Sequence, residues 1–275
     1  MSVDLSGAEY AVNASDRAVT AWSTARLPFE PKGWLKVYRD ELRAAVRAMR
    51  PTPTSYLAAE YVAPVAAFVD LENVLLYNVG SGCYSHLTRQ GLLCRRNQSE
   101  DARHRLTYCV AELLEWPESA GRLLAEVTLD EPVHPSTAVA WWYAFRSHLV
   151  VESNARYRGE IAINVEFGSA WAAQGVASSV KELLDGLVMA LHVHNGTHAE
   201  HITHALEKVG DGPQLWQLLN DPSFAILGRR HLVRRRGEGV MVNPADERCA
   251  SFRLVRQPSL TATVRATVFA MPVVP

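Results

Sequence analysis

The sequence has few cysteines, and their spacing matches no metal-binding or disulfide pattern. The four are Cys83, Cys94, Cys109 and Cys249, without a C-x-x-C pair, so neither a zinc ribbon nor a disulfide framework is predicted. The sequence also lacks an apolar run of eighteen residues and a basic, apolar leader, which argues against a membrane span and a signal peptide. These absences predict a cytoplasmic protein with reduced thiols and no membrane contact.

The sequence also has no large excess of positive or negative charge. Lysine and arginine number 28, aspartate and glutamate 29, and the formal net charge is −1, so no global field attracts nucleic acid or an anionic membrane. No Walker loop, Rossmann fingerprint or nucleophile elbow is present, which argues against the enzyme classes that depend on them. With 275 residues and 48% hydrophobic content, the chain can bury a sizeable core.

Hydrophobic periodicity predicts an α+β fold, with a mixed or antiparallel sheet and several packed helices. Apolar residues recur every three or four positions over 32–50 and 179–194, which indicates amphipathic helices. Ser179 and Glu182 resemble a capping box at the start of the second helix. Strands are predicted at 106–114, 123–129, 160–167, 250–256 and 261–270. Residues 59–70 and 74–79 are predicted as two strands or as a strand and a buried turn of helix.

Other segments have less regular patterns. Residues 95–105 are strongly charged and predict a loop, and the last two strands, separated by a Gln-Pro-Ser turn, predict an antiparallel pair. Pro132 and Pro135 interrupt the pattern near the middle of the chain. They predict an N-terminal half, 1–135, with the helix 32–50 and strands, and a C-terminal α+β half, 136–275. One continuous domain is the alternative.

The longest apolar stretch, 62–80, is interrupted once by the polar cluster Asp70-Leu71-Glu72-Asn73. On a strand, Asp70 and Glu72 would share a face and could hold a divalent cation such as Mg²⁺, with the Asn73 amide completing the shell beside the substrate. Metal-bound water would then act as the nucleophile in phosphoryl chemistry. The alternative is structural, because aspartate and asparagine also begin turns.

The same cluster resembles the DxDN signature of RusA-type Holliday-junction resolvases. The resemblance implies that Asp70 and Glu72 are catalytic, hold magnesium and cleave branched DNA, with Asp246 of the pair Asp246-Glu247 as a later acidic ligand. The helical continuation typical of that family does not follow at 74–80. It resembles instead Lys181-Glu-Leu-Leu-Asp-Gly-Leu, where Ser178 and Ser179 stand in place of the acids.

A basic run near the C-terminal end could contact phosphates. A solvated edge strand that charge protects from aggregation is the alternative explanation for this run. Its substrate-binding candidates are Arg229, Arg230, Arg234, Arg235 and Arg236.

Histidines and aromatic residues form two further clusters. His194, His198 and His201 have a spacing that can chelate zinc on a helix, although Asn195-Gly196 interrupts it. The aromatic cluster at 141–145 is rich in strand-forming residues. It predicts either a surface that stacks on bases or, with greater weight, the core packing of a central strand.

Two functional hypotheses follow from these clusters. The first is a metal-dependent enzyme that acts on a phosphate-containing substrate such as nucleic acid, with Asp70, Glu72 and Asp246 holding Mg²⁺ and the arginines holding phosphate. The second is a non-catalytic binding or assembly protein that uses an arginine and aromatic surface. Nucleic acid or another polyanion is the expected partner, and an oligomer is compatible with both hypotheses.

Overall fold

The computed structural model describes residues 8–64, 69–101, 103–112, 116, 121–131, 136–152, 155–169, 176–237 and 239–271. Helices and strands are both well represented, so the predicted α+β class with a mixed sheet is confirmed. The α-helices in these residues are α1 (Trp34–Ala48), α2 (Ser81–Tyr84), α3 (Ala138–Arg146), α4 (Val180–Ala190), α5 (Ala199–Leu206) and α6 (Gly212–Leu219). None of the helices in the described ranges combines the length and apolar character needed to cross a membrane.

The β-strands follow the chain from the N-terminal region to residue 270. They are β1 (Tyr10–Ala14), β2 (Ala18–Ser23), β3 (Tyr56–Pro64), β4 (Gly91–Ser99), β5 (His104–Ala111), β6 (Leu123–Leu129), β7 (Val150–Val151), β8 (Ile161–Phe167), β9 (Val193–His194), β10 (Arg229–Arg230), β11 (Val233–Arg236), β12 (Gly239–Val242), β13 (Cys249–Arg256) and β14 (Val264–Ala270).

The chain divides into two compact units that are discontinuous in sequence. The first unit comprises Met1–Trp116, Gly175–Ser178 and Ala250–Val255. The second unit comprises Pro117–Gln174, Ser179–Cys249 and Arg256–Pro275. The two prolines at which sequence analysis placed a boundary, Pro132 and Pro135, lie outside the described residues, so the halves 1–135 and 136–275 stay a prediction.

In the first unit, helix α1 connects two strands that run in the same direction. Strands β2 and β3 are both antiparallel to β5, which lies between them. Strand β1 extends the sheet beside β2, and β4 lies parallel to β3 on the other side, followed by β13. Helix α1 buries Tyr38, Leu42 and Val46 along one stripe, which stabilises the unit by about 1.5–3 kcal/mol for each large apolar side chain.

The second unit repeats this connection with different residues. Helix α3 joins β6 to β8, and β14 lies between these two strands, antiparallel to both. Strand β7 pairs with β6 at the outer edge. Both units are therefore built on a split β-α-β arrangement, in which two parallel strands joined by a helix flank a third, antiparallel strand.

Three local predictions are wrong, and each fails because of a contact distant in sequence. Most of residues 95–105 do not form a loop, since β4 continues to Ser99 paired with β3 and β5 begins at His104. Strands β13 and β14 do not form the predicted antiparallel pair, because β6 and β8 occupy both edges of β14. The aromatic segment forms helix α3, with Thr137 as its N-cap, and not a central strand.

Helix α4 confirms the predicted apolar stripe but not its predicted cap. Leu183, Leu184 and Leu187 are buried, as the periodicity predicts. Ser179 occupies the N-cap position and makes no side-chain cap hydrogen bond. Gly186 lets α4 approach α3 closely, because a Cβ atom at this position would lie 2.5 Å from Trp141 Cβ and 2.8 Å from the Ala138 carbonyl oxygen.

Candidate functional site

The polar cluster at Asp70 lies in the first unit, just before a helical segment. Helical backbone begins at Leu71 and continues as a short π-helix over Asn73–Tyr77, and the Asp70 carboxylate lies at the start of this helical segment. The backbone N–H of Asn73 donates to Asp70 Oδ1 at 3.3 Å, and the Asn73 side-chain amide contacts Asp70 Oδ2. The backbone N–H of Val74 also donates to the Asp70 carbonyl at 3.2 Å. Asp70 therefore organises the turn that sequence analysis weighed as the structural alternative.

Glu72 is a core residue, with only 5% of its surface exposed. Burial raises the pKa of the Tyr84 hydroxyl, and electrostatic interactions with Cys94 and Glu72 raise it further. Arg96, which is also buried, donates to the Val69 carbonyl at 2.9 Å, directly before Asp70. The acidic cluster is thus built into the core, where desolvation makes a charge costly unless polar groups compensate it.

The described residues contain no group of three or more histidine, cysteine, aspartate or glutamate side chains that could hold a metal ion. The site predicted from Asp70, Glu72 and Asp246 is therefore not found among them. Asp246 begins a 3-10 turn in the second unit, where its Oδ1 accepts the backbone N–H of Glu247 at 3.1 Å. Glu247 pairs with Arg230 at 2.8 Å.

Three histidine rings lie close together in the second unit. They are not the three that the helical spacing in the sequence pointed to. His194 ends β9, and His198 is the N-cap residue before α5, with a φ of +58°, so no single helix carries them. Instead, the His231 ring lies 5.6 Å, between centroids, from those of both His194 and His198. Helical spacing could not place His231 in this cluster, because it lies between β10 and β11, far in sequence from the other two histidines.

The aromatic cluster forms core and not surface. Trp141, Trp142 and Phe145 are completely buried in helix α3, and Tyr143 alone of the four is exposed, at 40%. The expected core packing is therefore confirmed, although on a helix and not on a central strand. These residues do not form the aromatic surface required by the second hypothesis.

The arginine run is divided by the structure into one paired and several exposed side chains. Arg230 is half-buried and held by Glu247. The remaining arginines, at positions 229, 234, 235 and 236, are exposed, and no ion pair is present on them within the described residues. Arg235 Nε donates to the Gly237 carbonyl at 3.3 Å. Four of the five arginines predicted to bind phosphate are therefore exposed.

Three of these arginines lie on a two-stranded ribbon that we call the basic hairpin, residues 233–242. Strand β11 pairs antiparallel with β12, from Val233 opposite Val242 to Arg236 opposite Gly239. Gly237, with a φ of +57°, allows the chain to turn at the tip. Leu232 and Val233 are fully buried at the base, so the hairpin is anchored at one end and exposes cations at the other.

Comparison of the chain with protein-family models, with curated proteins and with solved structures returned no significant match. The resemblance of 70–73 to RusA-type resolvases therefore stays a prediction.

Proposed function

We propose that the protein binds nucleic acid without cleaving it, and that the basic hairpin carries the larger part of the affinity. The observation that supports this function is the exposure of three successive arginines, Arg234 to Arg236, on one ribbon. Alternate residues of a strand point to opposite faces, so exposure of all three leaves both faces of β11 open to solvent. Such a ribbon fits a groove of a duplex and meets phosphates on either side.

The sequence of the hairpin carries three arginines and one glutamate, Glu238, so its formal charge is +2. No carboxylate of the described residues pairs with Arg234, Arg235 or Arg236, whereas Arg230 is held by Glu247 and Arg95 by Glu60. Guanidinium groups form bidentate hydrogen bonds with phosphate and lose little hydration when they do so.

The position of the acidic cluster supports binding over catalysis. Asp70 accepts hydrogen bonds from its own turn, and Glu72 is buried, so neither carboxylate is presented openly to a phosphate. Metal-dependent cleavage with Asp70, Glu72 and Asp246 remains the alternative prediction, and the stability measurements on Asp70 described below separate the two hypotheses.

The test is retention on heparin and on duplex DNA as a function of salt. The triple variant R234A/R235A/R236A should elute earlier, and the slope of log K against log salt should fall by about 2 to 3, since each phosphate contact contributes about 0.9. A matched control, R89A/R122A/R265A, removes three exposed arginines elsewhere and lowers the formal net charge equally, from −1 to −4.

The control should retain most of the affinity of the parent protein. Equal losses in both triple variants would mean that net charge alone governs retention, and the hairpin would lose its role. A parent protein that binds neither matrix at low salt would refute the proposed function.

A further inference from the structure

A second basic surface lies on helix α1 of the first unit. All the basic residues of α1, namely Lys36, Arg39, Arg43 and Arg47, follow one another at steps of three, four and four. At about 100° per residue, these positions fall within roughly 80° of the helix circumference, and successive arginines are about 6 Å apart along the axis. The helix therefore has one basic flank, which lies beside its buried stripe.

The three arginines of this flank are oriented by the protein itself. Each of them uses one N–H group on a neighbouring acceptor, and no carboxylate of the described residues forms an ion pair with any of the three. A guanidinium has five N–H donors. Arg47 is exposed, whereas Arg39 and Arg43 are half-buried and the Nε of Arg39 is enclosed. The terminal amino groups are therefore the donors left for a ligand. The acceptors are the Phe29 carbonyl for Arg39 at 3.3 Å, the Asn78 carbonyl for Arg43 at 3.0 Å and Cys83 Sγ for Arg47 at 3.3 Å.

Two exposed aromatic rings adjoin the same flank. Phe29 is 63% exposed and Tyr77 is 51% exposed, and their ring centroids lie 5.3 Å apart with the planes tilted by 32°. The Phe29 carbonyl holds Arg39, and Tyr77 directly precedes Asn78, whose carbonyl holds Arg43. The aromatic pair and the arginines therefore belong to one surface.

We infer that this surface binds a flexible single strand of nucleic acid, with phosphates on the arginine flank and bases stacked on Phe29 and Tyr77. A single strand offers an anion and an aromatic face at every nucleotide, which matches a row of cations beside exposed rings. Stacking requires no sequence-specific hydrogen bonds, so the surface accepts different bases. The inference rests on the proposed function for the class of ligand only, because it concerns different residues in the other unit.

The test measures fluorescence anisotropy of a labelled oligothymidylate of about 20 nucleotides, and of an abasic oligonucleotide of the same length. The parent protein should bind the oligothymidylate about tenfold more tightly, since stacking on each base contributes measurably to affinity. The variant F29A/Y77A should abolish this difference and leave abasic and heparin binding unchanged. The control Y143A, which removes an exposed aromatic ring from α3, should preserve the difference.

The arginine flank is tested by the salt dependence of oligothymidylate binding. The variant R39Q/R43Q/R47Q should reduce the slope by about 2, since each phosphate contact on a single strand contributes about 0.7. Because Arg39 and Arg43 also hold backbone carbonyls, circular dichroism must show that this variant is folded. The exposed single substitution Arg47→Gln should reduce the slope by about 0.7 without that risk.

Each outcome separates this inference from the proposed function. Equal affinity of the parent for both oligonucleotides, or a difference that persists in F29A/Y77A, would overturn the inference and leave the hairpin proposal standing. If R234A/R235A/R236A behaves as its control while F29A/Y77A loses the difference, the hairpin proposal fails and the inference stands. A dimer that F29A/Y77A disrupts, without oligonucleotide binding, would assign the surface to a second copy and overturn the inference.

Discussion

The two units share one connection of strands, but they differ in the segment that follows the second parallel strand. In the first unit, β3 leads to a π-helix of five residues and the four-residue helix α2. In the second unit, the segment after β8 contains α4, with eleven residues packed on α3. The same position in the fold can therefore be occupied by two kinds of helical segment, provided that the free backbone N–H and C=O groups at their ends find hydrogen-bond partners.

The two units also differ in how they provide hydrogen-bond partners for the backbone groups at these ends. In the first unit, separate side chains each hold one carbonyl, with Arg43 on Asn78 and Arg96 on Val69. A short segment has few internal hydrogen bonds, so its free carbonyls need partners from elsewhere. The comparison teaches that the first unit distributes its anchoring over several residues.

The second unit concentrates its anchoring in one buried cation, Arg146. Its Nη1 donates to the carbonyls of Ala190 and His192, and its Nη2 to those of Leu218 at 3.1 Å and Asp221 at 2.9 Å. The side chain thus holds the C-terminal ends of both α4 and α6, where a cation is favoured by the helix dipoles. Burial lowers the pKa of Arg146 to about 10, so the group stays charged at neutral pH.

The largest effect should come from Arg146→Met. We expect the free energy of unfolding to fall by about 3–5 kcal/mol, because four carbonyls, two of them buried and two partly buried, lose their charged donor. The matched change in the first unit, Arg43→Met, affects one carbonyl and should cost about 1 kcal/mol. Urea denaturation of both variants measures the difference. Similar costs would show that the second unit does not depend on this single anchor.

Acid should destabilise the second unit through His192. Burial lowers the pKa of His192 to about 4, so as the pH falls the unfolded chain takes up a proton first. Stability is therefore fully present above about pH 6.5 and decreases towards pH 4, by up to about 3 kcal/mol. Unfolding by urea at several pH values measures this slope. His192→Gln should flatten it, and an unchanged slope would assign the acid sensitivity to other groups.

The acidic cluster of the first unit should act as a cap. Asp70→Ala should cost about 1 kcal/mol, the usual value for loss of a capping side chain, and thermal unfolding should show no response to Mg²⁺ or Mn²⁺. A native-state metal ligand must raise Tm. A metal-induced rise in the parent, reversed by EDTA and absent in Asp70→Asn, would favour the metal-dependent enzyme.

The smallest effect should distinguish two caps within the second unit. The Thr137 hydroxyl accepts the backbone N–H of Ala140 at 3.2 Å, whereas the Ser179 side chain makes no cap hydrogen bond. Thr137→Ala should therefore cost about 1 kcal/mol and Ser179→Ala less than about 0.5 kcal/mol. Thermal unfolding of the two variants checks this order. The capping-box pattern in the sequence would instead predict that Ser179→Ala is the costly substitution.

The helices show why periodicity predicts some elements and misses others. Helix α1 has one buried stripe and one solvent face, and its residues recur at three and four, so its position was predicted within two residues at each end. Helix α3 is buried on most sides, and an element without a polar face carries no amphipathic signal. Its β-favouring aromatic residues then suggested a strand, although packing against α4 overrides that preference.

The candidate sites also include some features that the local sequence reveals and others that it does not. Exposed arginines at 234–236 follow from composition and a nearby glycine, and sequence analysis identified them. The ion pair between Arg230 and Glu247 and the approach of His231 to His194 join residues far apart in the chain, and local patterns contain no information about such pairs. The aromatic pair Phe29 and Tyr77 was missed for the same reason.

The sequence by itself determined the fold class, the strand at 123–129 and the apolar stripes of α1 and α4, because these depend on a local alternation of polar and apolar residues. Only the tertiary structure decided that β14 lies between β6 and β8, that the carboxylate of Asp70 accepts hydrogen bonds within its own turn, and that Phe29 and Tyr77 form a ring pair. Strand order and side-chain partners are selected by the total burial and hydrogen bonding of the folded chain, which no local segment specifies.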